Sequence, residues 1–350
     1  MKPSAAPATR LTILGLAIGL TLSLAGCASN GTTYGITSGA PATGVYVIQN
    51  TPAAGTTVAS GSVLQFSSTA SGAATPVSTI TKLNVTSLGF LAIDGTGNLY
   101  TAATQGTTGT SLIEFPVGSQ NNAQPTRSIP FNTTTGLTAI SSLSSGTAGN
   151  LFASNGAGGV AIFSPTATGS VAPTSSVSIT SGAGPQATAV DPSGNLYVAT
   201  ATPLNNIAIA PIVVFAPGAT TPARSIGGAL TLLAVTTPKA LATDTAGNLY
   251  VANVVSGVSS ILVFEPTATG NTPPMRDITG SNTLLGCVGG IAVDTEGGYL
   301  YVVSTPTCSS TASPTILKFS TTGTGNIAPV SSFTSTAWTS PDAALSIAVY

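Results

Sequence analysis

A unit of about 50 residues is repeated six times along this chain, and this repetition limits the possible folds more than any other feature. The most regular copies read Asp-x-x-Gly-Asn-Leu-Tyr, preceded by small and apolar residues. Successive copies lie 54, 52, 45, 53 and 51 residues apart, measured between their aromatic residues Tyr46, Tyr100, Phe152, Tyr197, Tyr250 and Tyr301. A period of this length is typical of propellers and solenoids.

Each unit predicts four short strands, which we name A, B, C and D. Strand A is the apolar segment before the aspartate, and strand B contains the aromatic residue. Strand C is a β-branched run that ends in phenylalanine, such as Ser260–Phe264, and strand D is a run led by proline, such as Pro274–Ile278. The tight A–B turns favour antiparallel pairing over the parallel rungs of a solenoid. The sequence therefore predicts an all-β fold, a β-propeller of four-stranded antiparallel blades.

The order of strands along the chain predicts how the ring closes. The first unit begins at strand B, with Gly44–Val47, and the chain ends with an additional A-like segment, Ala344–Tyr350. Pairing this segment with the first unit completes six blades, which is the usual closure of a propeller. Blade 3 is the irregular copy: its strand A is expected near Leu137–Leu143, without the aspartate and with an extended serine-rich turn, so its register stays open.

The repeated aspartates are interpreted as turn residues. Asp followed three residues later by Gly suits a tight A–B turn in which the glycine takes a positive φ. The rival interpretation is a calcium loop, but most turns carry a single acid, too few oxygen ligands for a cation that takes six or more. The turn aspartates are Asp94, Asp191, Asp244 and Asp294.

The first residues predict export. Lys2 and Arg10 precede an apolar stretch from Leu11 to Leu22, which is shorter than a membrane-spanning helix. The following Leu-Ala-Gly-Cys27 resembles the lipobox of bacterial lipoproteins, and the resemblance implies that Cys27 is acylated, with palmitate-like chains, after cleavage. The alternative is an ordinary signal peptide cut nearby. We divide the chain into a signal peptide (1–26), an acylated cysteine with a flexible tether (27–43) and a propeller (44–350).

The most regular copies resemble the NHL-repeat class of propellers. The resemblance rests on Pro-x-Ala-x-Ala-x-Asp-x-x-Gly-Asn-Leu-Tyr-Val-Ala, at Pro185–Ala199 and Pro238–Ala252. It implies a bacterial six-bladed propeller. Thr200 and Asn253 stand where typical NHL units carry an aspartate after strand B, so recognition built on that position is not carried over. Because Ala28 rather than Asp follows Cys27, the lipoprotein resemblance implies the outer membrane of the cell envelope.

Cys287 and Cys308 flank the A–B hairpin of blade 6 symmetrically. They should meet at its open end, and in an oxidising envelope we expect them to form a disulfide. The arginines two residues before the isoleucine of strand D, at Arg127, Arg224 and Arg276, are interpreted as charges that protect blade edges from aggregation.

Charge is scarce: the chain has 8 Lys and Arg, 9 Asp and Glu, and no histidine. This excludes histidine-based chemistry and any basic surface for nucleic acid, and we expect no cofactor and no metal. The leading hypothesis is a lipid-anchored binding scaffold that is monomeric and recognises an envelope protein or a glycan. A channel-centred, lactonase-like or other hydrolase and a passive surface-architecture protein are the alternatives, so enzymatic activity is disfavoured but left open.

A binding role is assigned to residues on the face formed by the D–A and B–C links, because loops on a rigid frame carry function. For Trp338 we keep a second interpretation, that it packs to close the last blade. The assigned residues are Lys82, Asn84, Lys239, Trp338 and Asp342.

Overall fold

A computed structural model describes residues 43–53, 59–106, 109–146, 148–156, 158–179, 184–200, 212–233, 238–294, 296, 298–308, 313–338 and 346–350. These residues form an all-β ring of six blades, each with four antiparallel strands, which confirms the predicted six-bladed propeller. No helix among them is long and apolar enough to span a membrane.

The strands follow the predicted A-to-D order, and we number them along the chain. Blade 1 contains β25 (Ile347–Val349), β1 (Val45–Thr51), β2 (Ser60–Phe66) and β4 (Ser78–Thr81). Blade 2 contains β5 (Val85–Ile93), β6 (Leu99–Gln105), β7 (Gly109–Phe115) and β8 (Arg127–Pro130). Blade 3 contains β9 (Ile140–Ser145), β10 (Leu151–Asn155), β11 (Gly159–Phe163) and β12 (Ser175–Ser178).

The second half of the ring repeats this order. Blade 4 contains β13 (Pro185–Val190), β14 (Leu196–Thr200), β15 (Ile212–Phe215) and β16 (Arg224–Ile226). Blade 5 contains β17 (Ala240–Thr243), β18 (Leu249–Val255), β19 (Val258–Phe264) and β20 (Arg276–Ile278). Blade 6 contains β21 (Cys287–Asp294), β22 (Tyr299–Thr305), β23 (Thr315–Ser320) and β24 (Ser331–Thr334).

The ring closes through blade 1, as the strand order predicted. β25 pairs antiparallel with β1, with Val349 opposite Val45 and Ile347 opposite Val47. A fifth strand, β3 (Gly72–Ala73), comes from the C–D link of blade 1 and pairs parallel with β24 of blade 6. The two ends of the propeller are therefore joined at an inner strand and at an outer strand.

The core lies between adjacent blades. In all blades except blade 3, strand B carries a tyrosine that is almost completely buried, and strand C of each blade ends in a buried phenylalanine. Six apolar clusters fill the six interfaces. Counting the described residues, the cluster between blades 3 and 4 has eight buried apolar residues, whereas each of the others has eleven or more. This interface therefore has the smallest described apolar core.

The structure gives the register of blade 3, which the sequence left open. Its strand A runs from Ile140 to Ser145, three residues later than expected at the N-terminal end, and the turn is not extended. Gly146 takes the aspartate's position: its N–H donates to the Asn150 carbonyl, as the N–H of Asp94 donates to Asn98 in blade 2. The sequence could not fix the register because the run of serines offers no alternation of polar and apolar residues.

Candidate functional site

The repeated aspartate organises the A–B turn by accepting hydrogen bonds from backbone N–H groups and from side chains. In blade 2, Asp94 Oδ1 accepts from the Thr96 hydroxyl (2.7 Å) and from the N–H groups of Thr96 (2.9 Å) and Asn98 (3.0 Å). Its Oδ2 accepts from the Asn98 amide (3.1 Å) and from the Tyr100 hydroxyl (2.7 Å). Burial raises the pKa of Asp94, but these hydrogen bonds outweigh burial and hold the pKa below its ordinary value. The conserved spacing Asp-x-x-Gly-Asn-Leu-Tyr within the chain thus has a structural explanation.

The same arrangement recurs at Asp191 and Asp244. The Tyr197 and Tyr250 hydroxyls lie 3.3 Å and 3.1 Å from the corresponding Oδ2 atoms. Burial, with help from the neighbouring aspartate, raises the pKa of each of these two tyrosines to about 12. Asp294 also lies at its A–B turn, where its Oδ1 accepts from the N–H of Glu296.

Two of the three arginines of strand D, Arg127 and Arg224, also join neighbouring blades, a role that the sequence did not predict. Arg127 Nε donates to the Ala167 carbonyl (2.9 Å) and its Nη2 to the Ser164 carbonyl (2.8 Å), both in blade 3. Arg127 also forms an ion pair with Glu114 at 3.0 Å. Arg224 reaches the Ala268 carbonyl of blade 5 in the same way. These cations therefore stabilise the ring.

In blade 6, the cation that contacts the neighbouring blade belongs to strand C rather than strand D. Its strand D has Ser331 where blades 2, 4 and 5 have arginine, and Lys318 of strand C lies opposite it. Lys318 Nζ donates to the Ser68 carbonyl of blade 1 (2.9 Å) and lies 3.7 Å from the centre of the Tyr299 ring. Burial lowers the pKa of this lysine. Sequence reasoning missed this residue because its partner belongs to the other end of the chain.

A central channel runs along the ring axis and is narrow where the A strands begin. A cavity of about 100 Å³ lies there, lined by small and apolar side chains together with Lys239. Serine and threonine side chains tie adjacent A strands to one another: the Ser142 and Thr188 hydroxyls are 2.9 Å apart, and Ser346 Oγ accepts from the Leu91 N–H. The richness in hydroxyl residues thus serves the tight packing of the inner strands.

The opposite end of the channel is wider and acidic. A cavity of about 400 Å³ opens among the A–B turns and is lined by Asp94, Asp244, Asp294 and Glu296. Within the described part of the chain, no three Asp, Glu, Cys or His side chains are grouped so as to hold a metal ion. The oxygen atoms of Asp94 and Asp244 that are described above accept hydrogen bonds from their own turns.

The residues to which a binding role was assigned do not form one cluster on the described links. Lys82 and Asn84 lie on the link from blade 1 to blade 2, where Lys82 Nζ donates to Gln105 (2.9 Å). Lys239 is exposed beside the channel, on the link that enters blade 5. Asp342 and the lipidation site Cys27 lie outside the described residues. The binding role of these residues stays a prediction.

Trp338 lies in the core between blades 6 and 1. Its side chain is 5% exposed, and its ring centre is 5.9 Å from that of Phe66 and 6.3 Å from that of Phe333. This position supports the second interpretation, packing that closes the last blade.

The disulfide between Cys287 and Cys308 is confirmed. Cys287 is the first residue of β21, Cys308 follows β22, and their Cα atoms are 4.8 Å apart. The bridge therefore closes the open end of this hairpin, on the side of the ring where D–A and B–C links lie.

On this same side, five large apolar side chains are exposed around blade 5, and we call this surface the leucine face. Their exposed fractions range from 44% to 63%. Single exposed apolar side chains are ordinary, and it is the grouping of five of them that is informative. The leucine face consists of Leu230, Leu232, Val255, Val258 and Leu284.

Two of these leucines have a strained backbone. Leu232 and Leu284 have φ values of 59° and 58°, in the left-handed region that costs a bulky residue roughly 1 kcal/mol or more. Each follows a buried threonine whose hydroxyl donates to the carbonyl of a glycine three residues earlier. The equivalent turn between blades 2 and 3 follows the buried Thr135 and has Gly136 at the same position, with φ 67°. The turn itself therefore needs no leucine.

Hydrogen bonds connect the parts of the leucine face. Asn253, two residues before Val255, donates from its amide to the Leu232 carbonyl at 3.0 Å. On the other side of the same hairpin, Ser259 Oγ accepts from the N–H of Val288, in the strand that follows Leu284. These two hydrogen bonds thus hold the tip of the B–C hairpin of blade 5 between the turns that contain Leu232 and Leu284.

Comparison with known proteins supports the fold but no family. No protein-family model matches the sequence, and no curated protein matches it. A chain of a nidogen–laminin complex is similar over 88% of this chain and 98% of its own length, with a TM-score of 0.56 and 14% identity. A protein of unknown function from Bacteroides caccae has the same coverages and TM-score at 10% identity. Identities this low show the propeller fold alone.

A third solved structure, Kuenenia stuttgartiensis hydrazine synthase, is similar over 69% of this chain and 65% of its own chain, with 13% identity and a TM-score of 0.48. This chain thus spans less than two thirds of that protein, and the similarity is too weak to carry an argument.

Proposed function

We propose that this protein is a lipid-anchored scaffold of the bacterial cell envelope that binds a partner protein through the leucine face. The observation that carries the proposal is the pair of exposed leucines at positions where the same turn elsewhere in the ring has glycine. A strained, exposed apolar residue without a role in its own turn points to a role outside the molecule.

The surroundings of the leucine face support a partner rather than a charged small molecule. None of the five residues of the leucine face has a charged residue within five positions of it along the chain. Contiguous exposed apolar patches on a folded protein mark sites of interaction with other proteins. The proposed anchor at Cys27 rests on the lipobox-like Leu-Ala-Gly-Cys segment.

The test replaces the two strained leucines by glycine, as Leu232→Gly and Leu284→Gly together. Because glycine adopts a positive φ without strain, the folded protein should keep its thermal stability or gain up to about 1 kcal/mol. A photo-crosslinking residue at position 230 should trap a partner in cells carrying the parent sequence and trap several-fold less in the double variant. Mass spectrometry of the same material should find acyl chains on Cys27.

The control places the crosslinker at position 330, an exposed valine on a C–D link. Its adducts, if any, should not change in the double variant. Undiminished crosslinking from position 230 in the stable double variant would contradict the proposed binding surface.

A further inference from the structure

Five of the six D strands are covered along their outer edge by the C–D link of the next blade. In blade 4, for example, the Ser225 carbonyl accepts from the Gly270 N–H (2.6 Å), and the Gly227 N–H donates to the Gly270 carbonyl (2.9 Å). The corresponding contacts elsewhere are made by Gly325 on blade 5, Ala74 on blade 6, Asn121 on blade 1 and Gly169 on blade 2. Where strand pairing is assigned, the link runs parallel to the strand that it covers.

The exception is β12, the D strand of blade 3. The link that should cover it belongs to blade 4 and has seven residues, Ala216–Pro222, whereas the other five C–D links have ten. The structure describes every residue of β12 and of this link, and no backbone hydrogen bond joins the two. The three missing residues are those that place a glycine or asparagine against the preceding blade in the longer links.

Along this edge, two backbone groups have no hydrogen-bond partner among the described residues. Along β12, the backbone N–H and C=O groups of successive residues point alternately toward β11 and outward. The groups of Ser175 and Val177 therefore point to one side, and those of Ser176 and Ser178 point to the other. Ser225 and Gly227 of blade 4 are equivalent to Ser176 and Ser178, and they use an outward carbonyl and an outward N–H to bind the Gly270 segment. The outward groups of β12 are therefore the Ser176 carbonyl and the Ser178 N–H. Both serines are exposed. Unpaired strand edges of this kind readily add another strand, and β12 has no charge or proline to prevent it.

A groove accompanies this edge between blades 3 and 4. Its volume is about 380 Å³, and its apolar wall includes Phe152, Val177, Leu196 and Phe215. Blade 3 lacks both the tyrosine hydroxyl and the arginine that occupy this region in blades 2 and 4, having Phe152 and Ser175 at those positions. None of the groove's lining residues is charged. The short link and the two replacements thus leave one interface open on its outer side.

We propose that β12 and this groove bind an extended, uncharged peptide segment of a partner protein, which pairs parallel to β12 as an added strand. The five covered edges provide the template, because each is occupied by an uncharged segment that presents backbone groups to the D strand. The absence of charge in the groove lining matches an uncharged segment. This site is independent of the leucine face.

The template also predicts the side chain that the groove prefers. Ala268, two residues before Gly270, is 2% exposed in the interface that the blade 5 link covers. The open groove beside β12 has more room than one alanine fills, so a larger apolar residue at that position should bind better. The preferred segment therefore has a large apolar residue, one small polar residue and then glycine.

The experiment uses the full chain and a labelled peptide with the sequence of Pro266–Pro274, in fluorescence anisotropy. We expect saturable binding with one site, and binding several-fold tighter when leucine replaces the alanine that corresponds to Ala268. Ser178→Pro removes the outward N–H without removing a bond to β11, and it should weaken binding roughly tenfold or more. Ser178→Ala keeps the N–H and should bind like the parent.

A second variant tests whether covering the edge of β12 prevents peptide binding, and it leaves the sequence of β12 unchanged. Replacing Ala216–Pro222 by the ten-residue link Glu265–Pro274 should cover the edge within the chain, abolish peptide binding and raise the melting temperature. Peptide binding that persists in this variant, or no binding of either peptide to the parent, would overturn the proposal. Dimerisation of the parent that Ser178→Pro abolishes would assign the edge to a second copy and overturn it as well.

Discussion

At the scale of single residues, the repeat is built around a buried tyrosine hydroxyl beside an aspartate. The Tyr hydroxyl donates to the Asp of its own turn in blades 2, 4 and 5, whereas blade 3 lacks both residues and has Gly146 and Phe152 at the two positions. This joint loss has a physical reason. A buried hydroxyl without an acceptor, or a buried carboxylate without donors, costs free energy that the apolar pair avoids.

These tyrosines predict how stability depends on alkaline pH. In the unfolded chain tyrosines ionise near pH 10, whereas Tyr197 and Tyr250 hold their protons until about pH 12 in the folded state. The stabilisation is therefore complete below pH 10 and is lost as the pH rises from about 10 to about 12. Each tyrosine should lower the free energy of unfolding by up to about 1.4 kcal/mol per pH unit in that window.

The check is urea denaturation of the parent and of the Tyr197→Phe, Tyr250→Phe double variant at pH 8, 10 and 11. At pH 8 the double variant should be less stable by about 1 kcal/mol per hydroxyl, and it should lose less stability than the parent between pH 10 and 11. An equal loss in both proteins would refute the assignment of the alkaline sensitivity to these hydroxyls.

The turn aspartates were predictable because all their partners lie within six residues of them in the sequence. The arginines were not, since the carbonyls that they bind belong to the next blade, about 40 residues further along. Sequence could place Arg127 on strand D, but only the ring geometry brings it to Ser164 and Ala167. The same holds for Lys318, whose acceptor Ser68 lies 250 residues away.

At the scale of elements, the length of a link decides what its blade can contact. Ten residues between strands C and D suffice to reach the preceding blade, and the seven of blade 4 do not. The length difference is visible in the sequence when the links themselves are compared, but the aromatic spacing hides it: the seven-residue link lies in the interval of 53 residues between Tyr197 and Tyr250. Its consequence was not predictable, because nothing local indicates that a link covers the neighbouring edge.

The disulfide in blade 6 is a prediction at this scale. Replacing both Cys287 and Cys308 by serine should lower the free energy of unfolding by about 2–3 kcal/mol, since the bridge closes a loop of 21 residues. The paired strands β21 and β22 already hold the two ends near each other, so the loss should not exceed this range. Thermal denaturation of the two proteins without reductant provides the measurement, and the parent under reductant provides the control. Equal stability of the two oxidised proteins would contradict a stabilising role.

At the scale of the whole molecule, the strand order alone was sufficient to predict six blades and their closure. The aromatic spacing counts the blades, and the A-like segment at the end supplies the strand that blade 1 lacks. The candidate sites were harder to predict from the sequence. The leucine face requires knowing that Leu232 has a positive φ, and the groove requires knowing which edges are covered. Neither property is encoded in residue type alone.

Closure by β25 makes the last residues essential to the ring. Deleting residues 346–350 removes the innermost strand of blade 1, including two buried residues, Ile347 and Ala348, and the backbone bonds between Tyr350 and Gly44. It also leaves β1 with an open edge on the channel side. We expect a loss of at least 3 kcal/mol in the free energy of unfolding, from lost burial together with lost ladder hydrogen bonds.

Two further measurements decide whether the lost stability results from opening the ring. Deleting Tyr350 alone keeps β25 but removes the two backbone bonds to Gly44 and the ring that lies against Gly97, so its effect should be smaller than that of the full deletion. A synthetic peptide with the sequence of residues 344–350, added in excess, should restore the melting temperature of the truncated protein, because mass action favours a folded state that binds it. A truncated protein that melts like the parent, or that the peptide cannot rescue although it remains folded, would show that the ring does not depend on β25 for its stability.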